Sequence, residues 1–179
     1  MTEKQRYEVL RQFDGFELRH YPACQLATVT VEGDFAAAAT KGFYPLVSYI
    51  SGENQRSQKI AMTAPVIQSS VLPRQHEISF VLPSDYQLSD LPIPSNAKVR
   101  VHTMDAHNAV VRKFTGRWTQ KRFYEQGEQL KLALEKCLKN GELSASVLSE
   151  VYFARFDPPW IPGLVRRNEA LLRVKIFAL

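Results

Sequence analysis

The 179-residue chain has the composition of one globular domain, with 45% hydrophobic and 23% charged residues. Its two cysteines are too few for a disulfide scaffold, and its net charge of +5 comes from scattered Lys and Arg, which argues against a nucleic-acid partner. The chain starts with charged residues rather than a signal peptide, and its apolar runs are too short to span a bilayer, so we expect a cytoplasmic protein without a membrane partner.

The first half of the chain has strand patterns followed by a helical pattern. Asp14-Gly15 is a turn signal, and apolar and polar residues alternate over residues 16–21 and 25–31, which predicts strands there. Apolar residues then recur three or four apart from about residue 34 to 51, which predicts a helix capped by Asp34 and ended by Gly52. Pro45 lies inside this helix and predicts a kink or a break.

The second half repeats this order after a strand at residues 76–82 and a proline-containing loop at 83–96. Strands are predicted at 98–104 and 109–114, joined as a hairpin by a turn at 105–108. A second amphipathic helix is predicted from about 119 to 140, capped by Thr119 and ended by Gly141. Two further strands are predicted at 151–156 and 171–177.

The repeated order of elements predicts an α+β fold in a single domain, residues 1–179. Its duplicated ferredoxin-like halves would run from about 7 to 82 and from 97 to 178 around one core. Two amphipathic helices over an antiparallel sheet leave a concave apolar groove, which is a common place for a small ligand.

Four segments of the chain carry a family resemblance, and they stand in the family's order and at about its spacing. They are Tyr7-Glu8-Val9 with FELRHY at 16–21, YISG at 49–52, KIAMTAPV at 59–66, and FDPPW at 156–160 followed by RRNE at 166–169. On these motifs the chain resembles the SOUL/haem-binding protein family over about residues 7–177. The resemblance implies a twisted, barrel-like antiparallel sheet flanked by two long helices, and binding of haem or a related tetrapyrrole.

The resemblance also implies the residues of the haem site. His20 stands at the position of a proposed axial histidine, and a neutral imidazole can ligate iron. Other members lack this histidine and are thought to hold haem in an apolar pocket; Phe43 and Val47 match its positions on the first helix, and Trp160 matches its position in the loop after the two prolines. The alternative for His20 is an ordinary strand histidine that is hydrogen-bonded to a neighbour.

The chain departs from the family where cations are proposed to pair with the haem propionates. Those positions are occupied by uncharged residues, Thr40, Ser48 and Ile161. Lys41, Arg11 or Arg19 could substitute for the missing cations. The pair Arg166-Arg167 either binds an anion or makes a salt bridge at the start of the last strand, fixed by Glu169 and the preceding loop.

The function predicted from these features is reversible haem sequestration or transfer by a binding protein. No nucleophile, phosphate-loop or zinc motif is recognisable, so we predict no catalytic residues. Two alternatives stay open: an enzyme that degrades haem oxidatively, and a protein that binds a non-haem hydrophobic small molecule. The second alternative would account for the missing propionate cations. An interaction protein ranks below both.

Overall fold

The computed structural model describes residues 2–178, which form strands and two long helices. The strands are β1 (Glu3–Lys4), β2 (Glu8–Phe13), β3 (Phe16–Tyr21), β4 (Cys24–Glu32), β5 (Thr63–Ala64), β6 (Val66–Leu72), β7 (Gln75–Val81), β8 (Arg100–Met104), β9 (His107–Thr115), β10 (Ser144–Val147), β11 (Tyr152–Arg155) and β12 (Arg167–Ala178). The helices are α1 (Phe35–Ser51) and α2 (Gln120–Lys139). The predicted α+β class, with antiparallel strands and two long helices, is confirmed; the ferredoxin-like description of the halves stays a prediction.

The chain divides into two compact units. The first unit contains residues up to Gln5 together with Ala23–Asp105, and the second contains Arg6–Pro22 together with the residues from Ala106 onward. The first unit has an antiparallel sheet in the order β6-β7-β4-β8, and β1 lies parallel to β5. Helix α1 packs on β4 and β7 of this sheet.

Helix α1 begins and ends as its sequence predicts. The Asp34 carboxylate accepts a hydrogen bond from the Ala37 N–H at 2.8 Å, and Gly52 ends the helix with a φ of 118°. The helix continues through Pro45, so the predicted break is absent. Gly42 lets the helix approach the sheet closely, because a Cβ built there would lie 2.4 Å from Cγ1 of Ile78.

The second unit has an antiparallel sheet in the order β2-β3-β9-β12-β11, with β10 also paired to β12. Helix α2, capped by the Thr119 hydroxyl, packs on β9 and β12. The hairpin at Asp14-Gly15 is confirmed, since Phe13 and Phe16 pair across it. The second predicted hairpin is wrong: β8 pairs with β4, whereas β9 pairs with β3 and β12.

The two faces of the second unit's sheet can be assigned from its contacts with α2. On β9, Arg112 donates to Gln126 of α2 at 3.1 Å, and the Phe114 ring lies 5.1 Å from the ring of Phe123. Directly paired residues point to the same side of a sheet, and His20 pairs with Asn108 on β9. His20 therefore lies on this side, here called the helix face, and Arg19 lies on the opposite face.

Within residues 2–178, neither helix has the length and apolar character needed to cross a bilayer. The cytoplasmic location stays a prediction.

Candidate functional site

His20 lies near the end of β3 and is half-buried on the helix face. Its Nδ1 lies 2.9 Å from Oδ1 of Asn108 on the neighbouring strand β9. An amide oxygen only accepts hydrogen bonds, so Nδ1 carries the ring proton and donates it. Nε2 then keeps its lone pair, and no described residue hydrogen-bonds to it. This is the arrangement in which an imidazole coordinates a metal, because the outer partner fixes both the tautomer and the ring orientation.

Apolar side chains continue the row that begins at His20 and Asn108. Asn108 pairs with Val174 on β12, and Val174 pairs with Val147 on β10, so all four side chains share the helix face. Val174 is buried, whereas Val147 is 48% exposed and is followed by the exposed Leu148. The helix face thus carries an accessible apolar margin in the same row as the imidazole.

Arg11 is the one of the three alternative cations that shares the helix face with His20. Arg11 pairs with Leu18, which stands two residues before His20 on β3. The Arg11 side chain is exposed. Its guanidinium donates to the Glu142 carbonyl at 3.0 Å and lies 4.7 Å from the Phe13 ring centre. Lys41 belongs to the first unit, where its ammonium donates to the Glu32 carbonyl at 3.0 Å.

Arg19 is fully buried, and its hydrogen bonds exclude it as a propionate partner. Its guanidinium donates to both carboxylate oxygens of Glu169, at 2.9 and 3.0 Å, and to Glu17 at 2.7 Å. It also donates to the Tyr21 hydroxyl at 2.9 Å, and the Tyr7 ring covers it at 3.9 Å. The alternative that assigned a propionate to Arg19 is therefore wrong.

The charges around Arg19 stabilise each other in their ionised forms. Burial alone would lower the pKa of Arg19, but the hydrogen bonds and charge of Glu169 raise it above its ordinary value. Burial likewise acts to raise the pKa of Glu17, yet its hydrogen bonds and charge interactions with Lys113 and Arg19 hold that pKa below the usual value. Burial raises the pKa of the Tyr21 hydroxyl. We call Arg19, Glu17, Glu169 and Lys113 the ion-pair cluster; sequence reasoning missed it.

Phe43 and Val47 lie one turn apart on α1 in the first unit. The exposed Phe43 ring meets the buried Phe80 ring edge-on at 5.4 Å, and Val47 packs against the apolar core of the first unit. These two side chains lie at the solvent-exposed edge of that core, on one face of the helix, as their helical spacing predicts. Thr40 and Ser48, the uncharged residues at the family's cation positions, occupy the same helix.

Trp160 is 80% exposed in the loop between β11 and β12 of the second unit. This loop joins β12 at Arg167, which pairs with Thr115 at one end of β9, whereas His20 pairs with Asn108 at the other end. The corresponding β12 positions are seven residues apart, or about 23 Å at the rise of a strand. His20 and Trp160 therefore lie toward opposite ends of this sheet.

Arg166 and Arg167 hold that loop in place. Arg167 pairs with the Asp157 carboxylate, and Arg166 donates to the carbonyls of Pro159 and Ile161. The interpretation of a salt bridge at the start of the last strand is thus confirmed for Arg167. The predicted role of Glu169 in it is wrong, since this carboxylate belongs to the ion-pair cluster.

A separate cleft of about 320 Å³ lies between the β2–β3 turn and α2. Phe13, Phe16 and Ala133 supply apolar lining, while Lys136 and Glu142 bring opposite charges to it. The cleft does not include His20, which lies four residues beyond Phe16 on β3.

Comparison with known proteins places these features in context. A family model described as SOUL heme-binding protein matches residues 2–173. Heme-binding protein 2 of Homo sapiens is 34% identical over an alignment of 109 residues that covers 57% of this chain and 53% of that protein, so the chain spans about half the length of this relative. Heme-binding protein 1 of Xenopus laevis is 26% identical over 163 residues, covering 87% of this chain and 81% of that protein.

Among solved structures, the C-terminal domain of EcmrR is similar with a TM-score of 0.65. The comparison covers 95% of this chain and 98% of that one at 12% sequence identity. At this identity the likeness concerns the fold alone.

Proposed function

Because the chain belongs to the SOUL heme-binding protein family, we propose that it binds haem reversibly, for sequestration or transfer, with His20 as the axial iron ligand. Haem, the ligand predicted from the sequence, is the ligand for which this family is named. We assign this role to the cytoplasm, as the sequence predicts.

The observation that carries the proposal is the hydrogen bond between Nδ1 of His20 and Oδ1 of Asn108, which leaves Nε2 of the neutral ring as the metal-binding atom. Haem iron is already held by four porphyrin nitrogens, so one protein imidazole is enough to complete an axial bond. Oδ1 of Asn108 lies 2.9 Å from Nδ1 of His20 and accepts a hydrogen bond from it. This hydrogen bond orients the imidazole ring before any ligand binds. A freely rotating surface histidine has neither property.

The surroundings of His20 fit the other two parts of a haem. The exposed Val147 on the helix face offers apolar contact to the porphyrin ring, which is large and flat. Arg11, exposed on the same face, is the cation assigned to a propionate, because guanidinium groups bind carboxylates in a two-pronged geometry. It takes the place of the family's cation positions, which are uncharged here.

Phe43, Val47 and Trp160 stay predicted haem contacts on the strength of the family resemblance, in which they belong to the apolar pocket of members that lack the histidine. Trp160 lies toward the opposite end of the sheet from His20, so these contacts are an alternative to ligation by His20. The His20 imidazole is the stronger anchor because it supplies a bond to iron, whereas these three side chains supply only apolar contact. Loss of His20 changes the ligand of the iron if the proposal holds, whereas loss of Phe43 weakens binding if the apolar pocket holds the haem.

Titration of the chain with ferric haem is the direct test of this proposal. We expect a Soret band shifted from that of free haem, a sharp end point at one haem per chain, and an electron paramagnetic resonance signal of histidine ligation. The shift follows from the Fe–Nε2 bond. A spectrum identical to that of haem mixed with an unrelated protein would contradict the proposal.

Substitution of Asn108 tests how His20 is positioned. In Asn108→Ala the imidazole loses its outer partner and its fixed tautomer, so we expect haem affinity to fall about 10- to 100-fold. In Asn108→Asp a carboxylate still accepts the Nδ1 proton, so ligation should be restored, and the more basic imidazole should lower the reduction potential of the iron. Equal affinity in all three proteins, measured by the same titration, would show that Asn108 plays no part.

A further inference from the structure

The loop that joins β11 to β12 exposes several apolar side chains next to one another. Trp160 is 80% exposed, Leu164 is 72% exposed and Val165 is 59% exposed. Side chains with this exposure stand out from the surface of the second unit and do not line a groove. Contiguous exposed apolar groups on a protein surface mark a contact site, since their hydration is unfavourable. We call residues 157–166 the tryptophan loop.

The tryptophan loop is held in one conformation by its own polar contacts. The Asp157 carboxylate accepts from the backbone N–H of Arg167 at 2.6 Å as well as from its guanidinium. Arg166 donates to the Ile161 carbonyl at 2.9 Å, and its guanidinium stacks 4.3 Å from the Trp118 ring centre. Contacts on the inner side therefore fix the loop so that its apolar side chains face outward.

Positive charge borders the loop, and negative charge is scarce there. The aliphatic stem of Arg117 lies against Gly163, and the Arg166 carbonyl accepts from Gly116, next to Arg117 in the chain. Arg122 borders Gly116 in turn. Residues 115–122 contain no acidic residue, and the only acid of the loop, Asp157, is paired with Arg167. Arg117 and Arg122 thus form a basic rim.

We propose that the tryptophan loop and its basic rim dock the protein on an anionic phospholipid bilayer. Indole rings favour the level of the lipid headgroups, where the ring is partly dehydrated and its N–H stays hydrated. Leu164 and Val165 enter the edge of the acyl region, while the arginines pair with anionic headgroups. This contact needs no membrane-spanning helix. It goes beyond haem binding and does not involve His20, because the loop and His20 lie toward opposite ends of the sheet. Trp160 is shared with the predicted haem contacts, whereas Leu164 and Arg117 are not, so variants of these two residues separate the two functions.

The charge pattern selects a bilayer as the occupant. A protein partner would need acidic residues placed opposite individual arginines, whereas an anionic bilayer offers a continuous negative potential to all of them. Each arginine near such a surface strengthens binding by about fivefold at physiological salt. Burial of the indole should strengthen binding by about tenfold.

Co-sedimentation of the full chain with vesicles tests the proposal. Vesicles of phosphatidylcholine with phosphatidylserine should bind the chain, and vesicles of phosphatidylcholine alone should bind it much less. Trp160→Ala should lower binding about tenfold and Arg117→Gln about fivefold, with the charge effect weakened by added salt. Leu164→Ser provides an independent test of the loop.

Matched controls come from the first unit. Leu72→Ser removes an exposed apolar side chain and Lys98→Gln removes an exposed cation, and neither should change vesicle binding. Equal binding to both kinds of vesicle, or unchanged binding of Trp160→Ala, would overturn the proposal. So would a Trp160-dependent self-association in the absence of lipid, which would assign the loop to contact between copies of this chain.

Discussion

Arg19→Met is expected to lower the free energy of unfolding by about 3–5 kcal/mol, because it leaves buried carboxylates without their partner. Glu169 is itself buried, and it receives both of its hydrogen bonds in the ion-pair cluster from Arg19. A methionine of similar length fills the space and offers no donor. Urea denaturation followed by circular dichroism measures the change.

Two further variants separate the loss of buried pairing from the mere loss of a charge. Lys113→Met removes the other cation that contacts Glu17, but the Lys113 side chain is 56% exposed, so we expect less than about 1 kcal/mol. Adding Glu169→Leu to Arg19→Met removes the stranded carboxylate and should recover part of the stability. A destabilisation by Lys113→Met equal to that of Arg19→Met would contradict this account.

The acid limb of the stability curve reports on the same cluster. The pKa of Glu17 is held below its unfolded value, so its contribution to stability is present above the unfolded pKa and is lost as pH falls through the folded pKa. Arg19→Met removes one of the groups that lower this pKa, and the variant should therefore lose less stability on acidification than the unchanged protein does.

His20→Ala is expected to weaken haem binding by about 100-fold, since it removes the iron ligand itself and loss of an outer partner alone costs 10- to 100-fold. The spectrum should change from that of a histidine-ligated haem to that of haem held by apolar contact. Added imidazole should restore the ligated spectrum, because it occupies the space that the side chain leaves. Spectroscopic titration measures both effects.

His102→Ala is the matched control for this experiment. His102 is another half-buried strand histidine, and its Nε2 lies 3.0 Å from the Thr28 hydroxyl. Its loss should leave the haem spectrum and affinity unchanged. A His20→Ala spectrum identical to that of the unchanged protein would remove His20 from the site, and the contacts predicted at Phe43 and Val47 would then be the ones to test.

The elements with strong local signals could be predicted from the sequence. Both helices have a three- and four-residue apolar repeat with a capping side chain in front, and both caps form as expected. The false hairpin at 105–108 shows the limit of such signals, because a short turn between two strands does not determine which strands pair. Here Cys24 pairs with Met104 on one side of that turn, and Tyr21 pairs with His107 on the other.

The candidate site was predictable only in part. The alternation of apolar and polar residues on β3 predicted that His20 shares a face with Phe16 and Leu18. The register of β3 with β9 agrees with this prediction. The same alternation put Arg19 on the other face but gave no sign that Arg19 is fully buried there, because a charged side chain in a strand is usually exposed. Its partner Glu169 lies 150 residues away in the chain, and no local pattern reveals such a pair. Arg19 and Glu169 nevertheless lie within two of the motifs that carry the family resemblance, FELRHY and RRNE.

The division of the chain into two units has a consequence for biosynthesis. Residues 6–22 leave the ribosome before Ala23–Asp105, but they pair with strands that are made only after that whole stretch. The nascent β2–β3 hairpin therefore has no partner strand until β9 is made, whereas the first unit is nearly contiguous in the chain and can fold earlier. A ribosome-bound chain that ends before β9 carries His20 without Asn108. The hydrogen bond that fixes the His20 ring thus forms late in translation, so an unfinished chain lacks the ligand geometry proposed for haem.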